Sequence, residues 1–197
     1  MKTGSFITLL SQAYRVDEKT VAQVYRVLRE AGLLTQGARG VNAPHMTSRD
    51  FAMMTITLLA TERPTRAVEL AERFGRLRYD KSRSTGAPHP VIQEDQGGTL
   101  LDAVERLFSA DLAADPFVGG PYLELQVNAR TASIEHTQGR AVFSDLGQRD
   151  ESTALADRRD FAGRRLSVGF ASLELMEAYV PLHLERRGHQ SKEIAGG

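Results

Sequence analysis

The side chains most able to do chemistry in the first part of the chain are hydrogen-bond donors that follow Asp17. Lys19, Thr20, Gln23 and Arg26 occupy the polar positions of a segment whose apolar residues recur at i, i+3, i+4 and i+7. Donors of these types bind phosphate oxygens and the acceptor edges of nucleic-acid bases. The spacing therefore predicts a polar helix face directed towards water or towards a ligand.

Two short helices must position these donors. Apolar residues at 6, 7, 10, 13 and 14 predict the first helix, and Asp17 is a predicted N-cap of the second, which should end at Gly32. Two glycines near Arg39 interrupt the following stretch, 35–44, and predict a tight loop or a small wing. The predicted buried side of the second helix consists of Val21, Val24, Tyr25 and Leu28.

A short helix, a tight turn at Val16-Asp17 and a second helix resemble a helix-turn-helix DNA reader. The segment Leu28-Arg29-Glu30-Ala31-Gly32-Leu33-Leu34 and the loop Gly37-Ala38-Arg39-Gly40 extend the resemblance to winged-helix regulators. In that family the second helix lies in the major groove of double-stranded DNA and the wing contacts the backbone. The resemblance covers about a quarter of the chain. It implies that Lys19, Thr20, Gln23 and Arg26 face DNA and that Arg39 reaches a phosphate or the minor groove.

The distribution of charge favours the same interpretation. The formal net charge of the 197 residues is zero, but residues 1–83 carry 14 basic and 8 acidic side chains and residues 84–197 carry 11 and 17. The front part is thus +6 and the back part −6. Such asymmetry suggests that the front part meets a polyanion while the acidic part contacts a protein partner or other copies of the chain.

The rest of the pattern predicts an α+β protein. Residues 1–79 form a helical DNA-binding-like module with further helices that begin at Thr47 or Ser48 and at Pro64. The Pro-, Gly- and Ser-containing stretch 80–98 is a predicted linker. In 99–197 a helix capped by Thr99 precedes alternating apolar residues, which predict a small antiparallel sheet packed against helices.

The order of these elements also resembles that of small terminase subunits of tailed phages. In those proteins a helix-turn-helix precedes an oligomerising helical pair, which here would be the helices at 47–61 and 64–78. Independently, the nearly all-round apolar helix at 51–59 and the strands at 122–143 need covering, which predicts a homo-oligomer. A non-enzymatic protein-interaction or inhibitor module that uses the same basic helices is the alternative.

We expect no enzyme activity. Asp115 and Glu124-Leu125-Gln126 are faintly similar to the Asp…Glu-x-Lys pattern of metal-dependent nucleases, but glutamine replaces the lysine. Glu124 and Gln126 also alternate with apolar residues, as on the solvent face of a half-buried strand. The five histidines are scattered, and phosphate-binding and dinucleotide-binding glycine motifs are missing from the sequence, so no cofactor or metal is expected.

Composition restricts the environment. The sequence has no cysteine, which excludes disulfides, thiolate zinc sites and a cysteine nucleophile. Its purely apolar stretches are only a few residues long, and its first residues do not form a signal-peptide pattern. We therefore expect a cytoplasmic protein with no membrane contact.

Overall fold

The structure is a computed structural model that describes residues 2–37, 45–87, 92, 98–109 and 121–145, together with the backbone of 165–169. These residues form five helices: α1 (Thr3–Tyr14), α2 (Glu18–Glu30), α3 (Ser48–Ala60), α4 (Pro64–Gly75) and α5 (Leu100–Ser109). They also form six strands: β1 (Arg78–Tyr79), β2 (Thr85–Gly86), β3 (Tyr122–Gln126), β4 (Thr131–His136), β5 (Gly139–Ser144) and β6 (Arg165–Gly169). The predicted α+β class is confirmed.

Local hydrogen bonds explain where the helices begin. The backbone N–H of Thr20 donates to the Asp17 carboxylate over 3.1 Å, which confirms the predicted N-cap of α2. Thr47 and Asp50 form a capping box at the start of α3. At α5, the N–H of Asp102 donates to the Thr99 hydroxyl over 3.2 Å. Each start is therefore set by residues three positions apart, and α4 begins at its proline as predicted.

Helix α3 is the centre of the helical part. Every one of its residues except Arg49 is buried, because α4 and α5 pack on it along much of its length and α2 and the sheet complete its surroundings. The Phe51 ring lies 4.6 Å from the Phe6 ring of α1 and 5.5 Å from the Phe108 ring of α5, measured between centroids. The apolar helix predicted at 51–59 is thus covered within its own chain.

The sheet is antiparallel and has the strand order β1-β5-β4-β3-β6, with β2 also paired to β5. Its hairpin between β4 and β5 turns at Gln138, as the sequence predicts, and Ile134 of β4 is paired with Ala141 of β5. The strands β3, β4 and β5 each have a neighbour on both sides. The expectation that these strands and α3 need a second copy of the chain to cover them is therefore wrong. Self-association itself stays a prediction.

The stretch 80–98 contributes to the sheet where the structure describes it. Within this predicted linker, β2 pairs with Gly139 and Arg140 of β5. Buried side chains from Phe6 to Phe143, on both sides of the stretch, belong to one hydrophobic cluster. The division into 1–79, 80–98 and 99–197 stays a prediction, but the two larger ranges share a core.

One face of the sheet differs from expectation. Glu124 of β3 is only 3% exposed, and Ser133, the residue of β4 that is paired with it, is only 2% exposed. The alternation in β3 was expected to mark a solvent face, and that expectation is wrong for Glu124. An alternating pattern identifies residues that share a face, but it does not reveal whether the face is covered.

The predictions for the last part of the chain are only partly covered by the described residues. The strand predicted near Leu166 is present as β6, whereas the helix predicted from Ser172 lies outside the described residues. Within the described ranges, none of the helices combines the length and apolar character that crossing a bilayer requires.

A buried carboxylate ties the start of the sheet together. Asp80, 6% exposed, accepts hydrogen bonds from the Ser82 hydroxyl at 2.6 Å and the Ser144 hydroxyl at 2.8 Å. Burial alone raises the pKa of Asp80, but these hydroxyls and the backbone N–H groups of Ser82 and Arg83 outweigh it and lower the pKa below its ordinary value. The ionised form therefore stabilises the link between the β1–β2 segment and β5.

We predict that Phe51→Ala lowers the free energy of unfolding by about 3–5 kcal/mol, because it leaves a cavity where α1, α3 and α5 meet. Urea denaturation followed by circular dichroism measures this change. Tyr122→Ala is the control, because Tyr122 is 52% exposed and its loss should cost about 1 kcal/mol or less. Equal losses in the two variants would contradict the central position of Phe51.

Because the pKa of Asp80 is lower in the folded chain than in the unfolded chain, its contribution to stability is present above the unfolded pKa of about 3.9 and disappears as the pH falls through the folded value. We predict that Asp80→Asn destabilises the chain at pH 7 and that the difference from wild type shrinks below about pH 4. Urea denaturation between pH 3 and pH 7 tests this, and a difference that stays constant over that range would contradict it.

Candidate nucleic-acid interface

The turn between α1 and α2 is fixed by a short hydrogen-bonded connection. Arg15 adopts a left-handed conformation with φ of 52°, which ends α1. The backbone N–H of Val16 then donates to the carbonyl of Ser11 over 3.2 Å, and the Ser11 hydroxyl donates to the carbonyl of Val16 over 2.7 Å. With Asp17 capping α2, few rotatable bonds remain between the two helices, so α1 fixes the direction of α2.

The apolar side of α2 is entirely occupied by the core. Val21, Val24 and Leu28 have no exposed surface, and Tyr25 is buried with its ring 6.1 Å from the Phe6 ring. Helix α2 packs against α1 and α4 along this side. The opposite side is therefore held outward by a rigid base.

Four exposed residues follow one another along that outward side at intervals of four, three and four positions, which is the spacing of a single helix face. We call them the α2 stripe: Lys19, Gln23, Arg26 and Glu30. Thr20 is half-buried and lies about a quarter of a turn from the stripe, at 100° per residue. The structure thus brings Lys19, Gln23 and Arg26 together and sets Thr20 to the side.

The charges on the stripe differ in their pairing. Lys19 and Gln23 make no hydrogen bond or ion pair with the described part of the chain through their side chains. The Nε of Arg26 donates to Oε1 of Glu30 over 2.8 Å, and the hydrogen bond and charge of Glu30 raise the pKa of Arg26 further above its ordinary value. Glu18, although next to Lys19 in the sequence, accepts a hydrogen bond from the Thr8 hydroxyl over 3.0 Å and is held towards α1.

The segment after α2 is attached to the end of that helix. The Arg29 guanidinium donates to the carbonyl of Gly37 over 3.2 Å, and the Gln36 amide donates to the carbonyl of Arg29 over 2.8 Å. The loop that the sequence predicts as a wing therefore starts beside the last turn of α2. Arg39, its predicted phosphate contact, lies outside the described residues.

One buried carboxylate of α3 holds both ends of this loop. Asp50, 2% exposed, accepts from the N–H and hydroxyl of Thr35 at 2.7 and 2.8 Å, and from the N–H and hydroxyl of Thr47 at the same two distances. Its oxygens therefore fix where the chain leaves α2 and where it enters α3. Only half of this role is visible in the sequence: the Thr47-x-x-Asp50 spacing signals the capping box, but no local signal links Thr35 to Asp50.

Of the two carboxylates considered for metal-dependent catalysis, only Glu124 lies among the described residues. Glu124 is buried in the sheet and accepts a hydrogen bond from the Gln126 amide over 3.0 Å, while Asp115 lies outside the described residues. Among the residues that the structure describes, no group of three or more His, Asp or Glu side chains is arranged to hold a metal ion.

We predict that Asp50→Asn weakens the base of the loop, because an amide replaces an acceptor that faces four donors. The free energy of unfolding should fall by about 1–3 kcal/mol, and the backbone amides of Thr35 and Thr47 should exchange with solvent faster. Hydrogen exchange observed by NMR checks the local effect. Unchanged exchange at both amides, with the amide of Thr20 at the α2 N-cap as internal control, would contradict the assignment.

Comparison with known proteins does not connect this arrangement to a family. No protein-family model matches the chain, and neither a curated protein nor a solved structure matches it. A functional interpretation therefore depends on the geometry and charge of the α2 stripe and the residues around it.

Proposed function

We propose that this chain binds double-stranded DNA through the α2 stripe, as a non-enzymatic transcriptional regulator or phage-type DNA-recognition subunit. The observation that carries the proposal is a row of exposed donors, Lys19, Gln23 and Arg26, on a helix whose opposite side is fully buried. The major groove of B-DNA admits one α-helix, and a helix presented on a rigid base enters it without a large loss of conformational entropy.

The residue types on the stripe are suited to separate tasks in the groove. The Lys19 ammonium neutralises a phosphate, which supplies affinity for any sequence. The Gln23 amide has a donor and an acceptor that match the N7 and N6 atoms of adenine. The stripe therefore combines a backbone contact with a base contact on the same helix face, as in the helix-turn-helix readers that the sequence resembles.

Ion pairing distinguishes Lys19 of α2 from the arginines in and next to α4. On α4, Glu69 lies 3.0 Å from Arg73 and 3.6 Å from Arg66, and Glu72 lies 3.6 Å from Arg76. Acidic partners one helical turn away reduce the positive potential that this face offers to DNA. Lys19 and Gln23, whose side chains have no partner among the residues that the structure describes, make α2 the better candidate for the contact.

The acidic part of the chain completes the proposal. Residues 84–197 carry a net charge of −6, so this part is repelled by DNA and is available for a protein partner or for other copies of the chain. In this proposal residues 1–83 supply the DNA contact and residues 84–197 supply the protein contact.

We predict that Gln23→Ala costs about 1–3 kcal/mol of binding free energy on the preferred DNA sequence and little on other sequences. Lys19→Ala and Arg39→Ala should weaken binding to all sequences alike and each reduce the slope of log K against log salt by about one. Fluorescence anisotropy of the full chain with labelled duplexes, over a salt series, measures both effects.

The matched control is Gln12→Ala, which removes an exposed glutamine from α1 instead of α2. Binding of this variant should equal that of the wild type. If the wild type fails to bind duplex DNA at low salt, or if Gln23→Ala and Lys19→Ala bind as the wild type does, the chain does not use the α2 stripe to bind DNA.

A further inference from the structure

We propose a more specific role for the pair of Arg26 and Glu30, which rests on the proposed function. Arg26 reads a guanine, while Glu30 holds the guanidinium of Arg26 in position. Arg26 would then be the residue that determines specificity for a G·C base pair, and Glu30 a positioning residue. The pair lies on the α2 stripe, one turn beyond Gln23, so it faces the same groove as the other stripe residues.

The geometry of the pair leaves the recognition edge of Arg26 open. Glu30 accepts from Nε of Arg26, and among the described residues neither terminal nitrogen of Arg26 has a hydrogen-bond partner. Two terminal N–H groups form the edge that bonds both O6 and N7 of guanine. A carboxylate on Nε restricts rotation of the guanidinium plane and so presents this edge in a fixed orientation.

The charge of the pair favours a base over a phosphate. A phosphate near Arg26 would also lie near the Glu30 carboxylate, and the repulsion would offset much of the attraction. A guanine edge is neutral, so it gains the two hydrogen bonds without that repulsion. The second carboxylate oxygen of Glu30 is in addition an acceptor of the type that matches the amino group of cytosine, the partner base.

Glu18 provides a matched comparison on the same helix. Glu18 and Glu30 are both exposed and have the same charge, but Glu18 accepts a hydrogen bond from Thr8 on α1 and lies off the stripe. Removing either carboxylate changes the net charge of α2 equally. Only the removal of Glu30 releases the Arg26 guanidinium.

The test uses the full chain and a pool of duplexes with a randomised central segment, from which the preferred sequence is selected. We expect one G·C position at which replacement by A·T lowers wild-type affinity by between about fivefold and about a hundredfold. Arg26→Met should abolish that preference, because methionine keeps a long side chain but has no N–H donors for O6 and N7. Glu30→Ala should reduce the preference while raising affinity for unrelated duplexes and steepening the salt dependence.

Glu18→Ala should raise affinity for unrelated duplexes to a similar extent and leave the G·C preference intact. Thermal unfolding of the variants checks that all remain folded. If Glu30→Ala keeps the preference as Glu18→Ala does, Glu30 contributes only charge and the inference is overturned. Retention of the preference in Arg26→Met also overturns it, although DNA binding through the α2 stripe would then still stand. A wild-type chain that binds no duplex refutes the proposed function itself.

Discussion

Burial of α3 on all sides is the constraint on which the rest of the structure depends. A helix with only Arg49 outside the core must have neighbours in every direction, and α4, α5, α2 and the sheet supply them. The Phe51 ring is the meeting point, because aromatic rings of α1 and α5 pack on it directly. Placing α1 against Phe51 in turn sets the position of α2, whose Tyr25 packs on the same α1 phenylalanine.

A buried helix must also satisfy its polar side chains. The Thr57 hydroxyl donates to the carbonyl of Met53 over 2.7 Å, one turn earlier in α3. The Thr55 hydroxyl lies 2.6 Å from the Tyr14 hydroxyl at the end of α1. Burial raises the pKa of Tyr14, and the hydrogen bond with Thr55 opposes part of that shift. These contacts join α1 to α3 beyond the aromatic cluster, so the helix that precedes α2 is attached to the core at both ends.

Aspartates organise the connections around this core. Asp17, Asp50, Asp80 and Asp102 each accept backbone or hydroxyl donors at a point where the chain changes direction. The Asp102 carboxylate also lies 3.5 Å from the Arg49 guanidinium. Burial raises the pKa of Asp102, but the hydrogen bonds from Thr99 and the charges of Arg49 and Arg106 outweigh burial, so that the pKa lies below its ordinary value. These four aspartates thus serve turns and caps, and none of them lies on the α2 stripe.

Short-range physics determined what the sequence could predict. Helix starts at Asp17, Thr47, Pro64 and Thr99 depend on residues at most three positions away, and the buried side of α2 follows from helical periodicity. Local patterns also predict the strands β3 to β6, the α+β class and the grouping of Lys19, Gln23 and Arg26 on one face, but not the short strands β1 and β2.

Tertiary packing decided the rest. Whether a face is covered depends on which distant segment lies on it, so the burial of Glu124 and the enclosure of α3 within one chain could not be read from alternation or hydrophobicity. The hydrogen bonds of Asp50 to Thr35, 15 residues away, exist only because the end of α2 meets the start of α3. Pairing of β2 with β5 inside the predicted linker depends in the same way on a contact between segments more than fifty residues apart, which local composition does not encode.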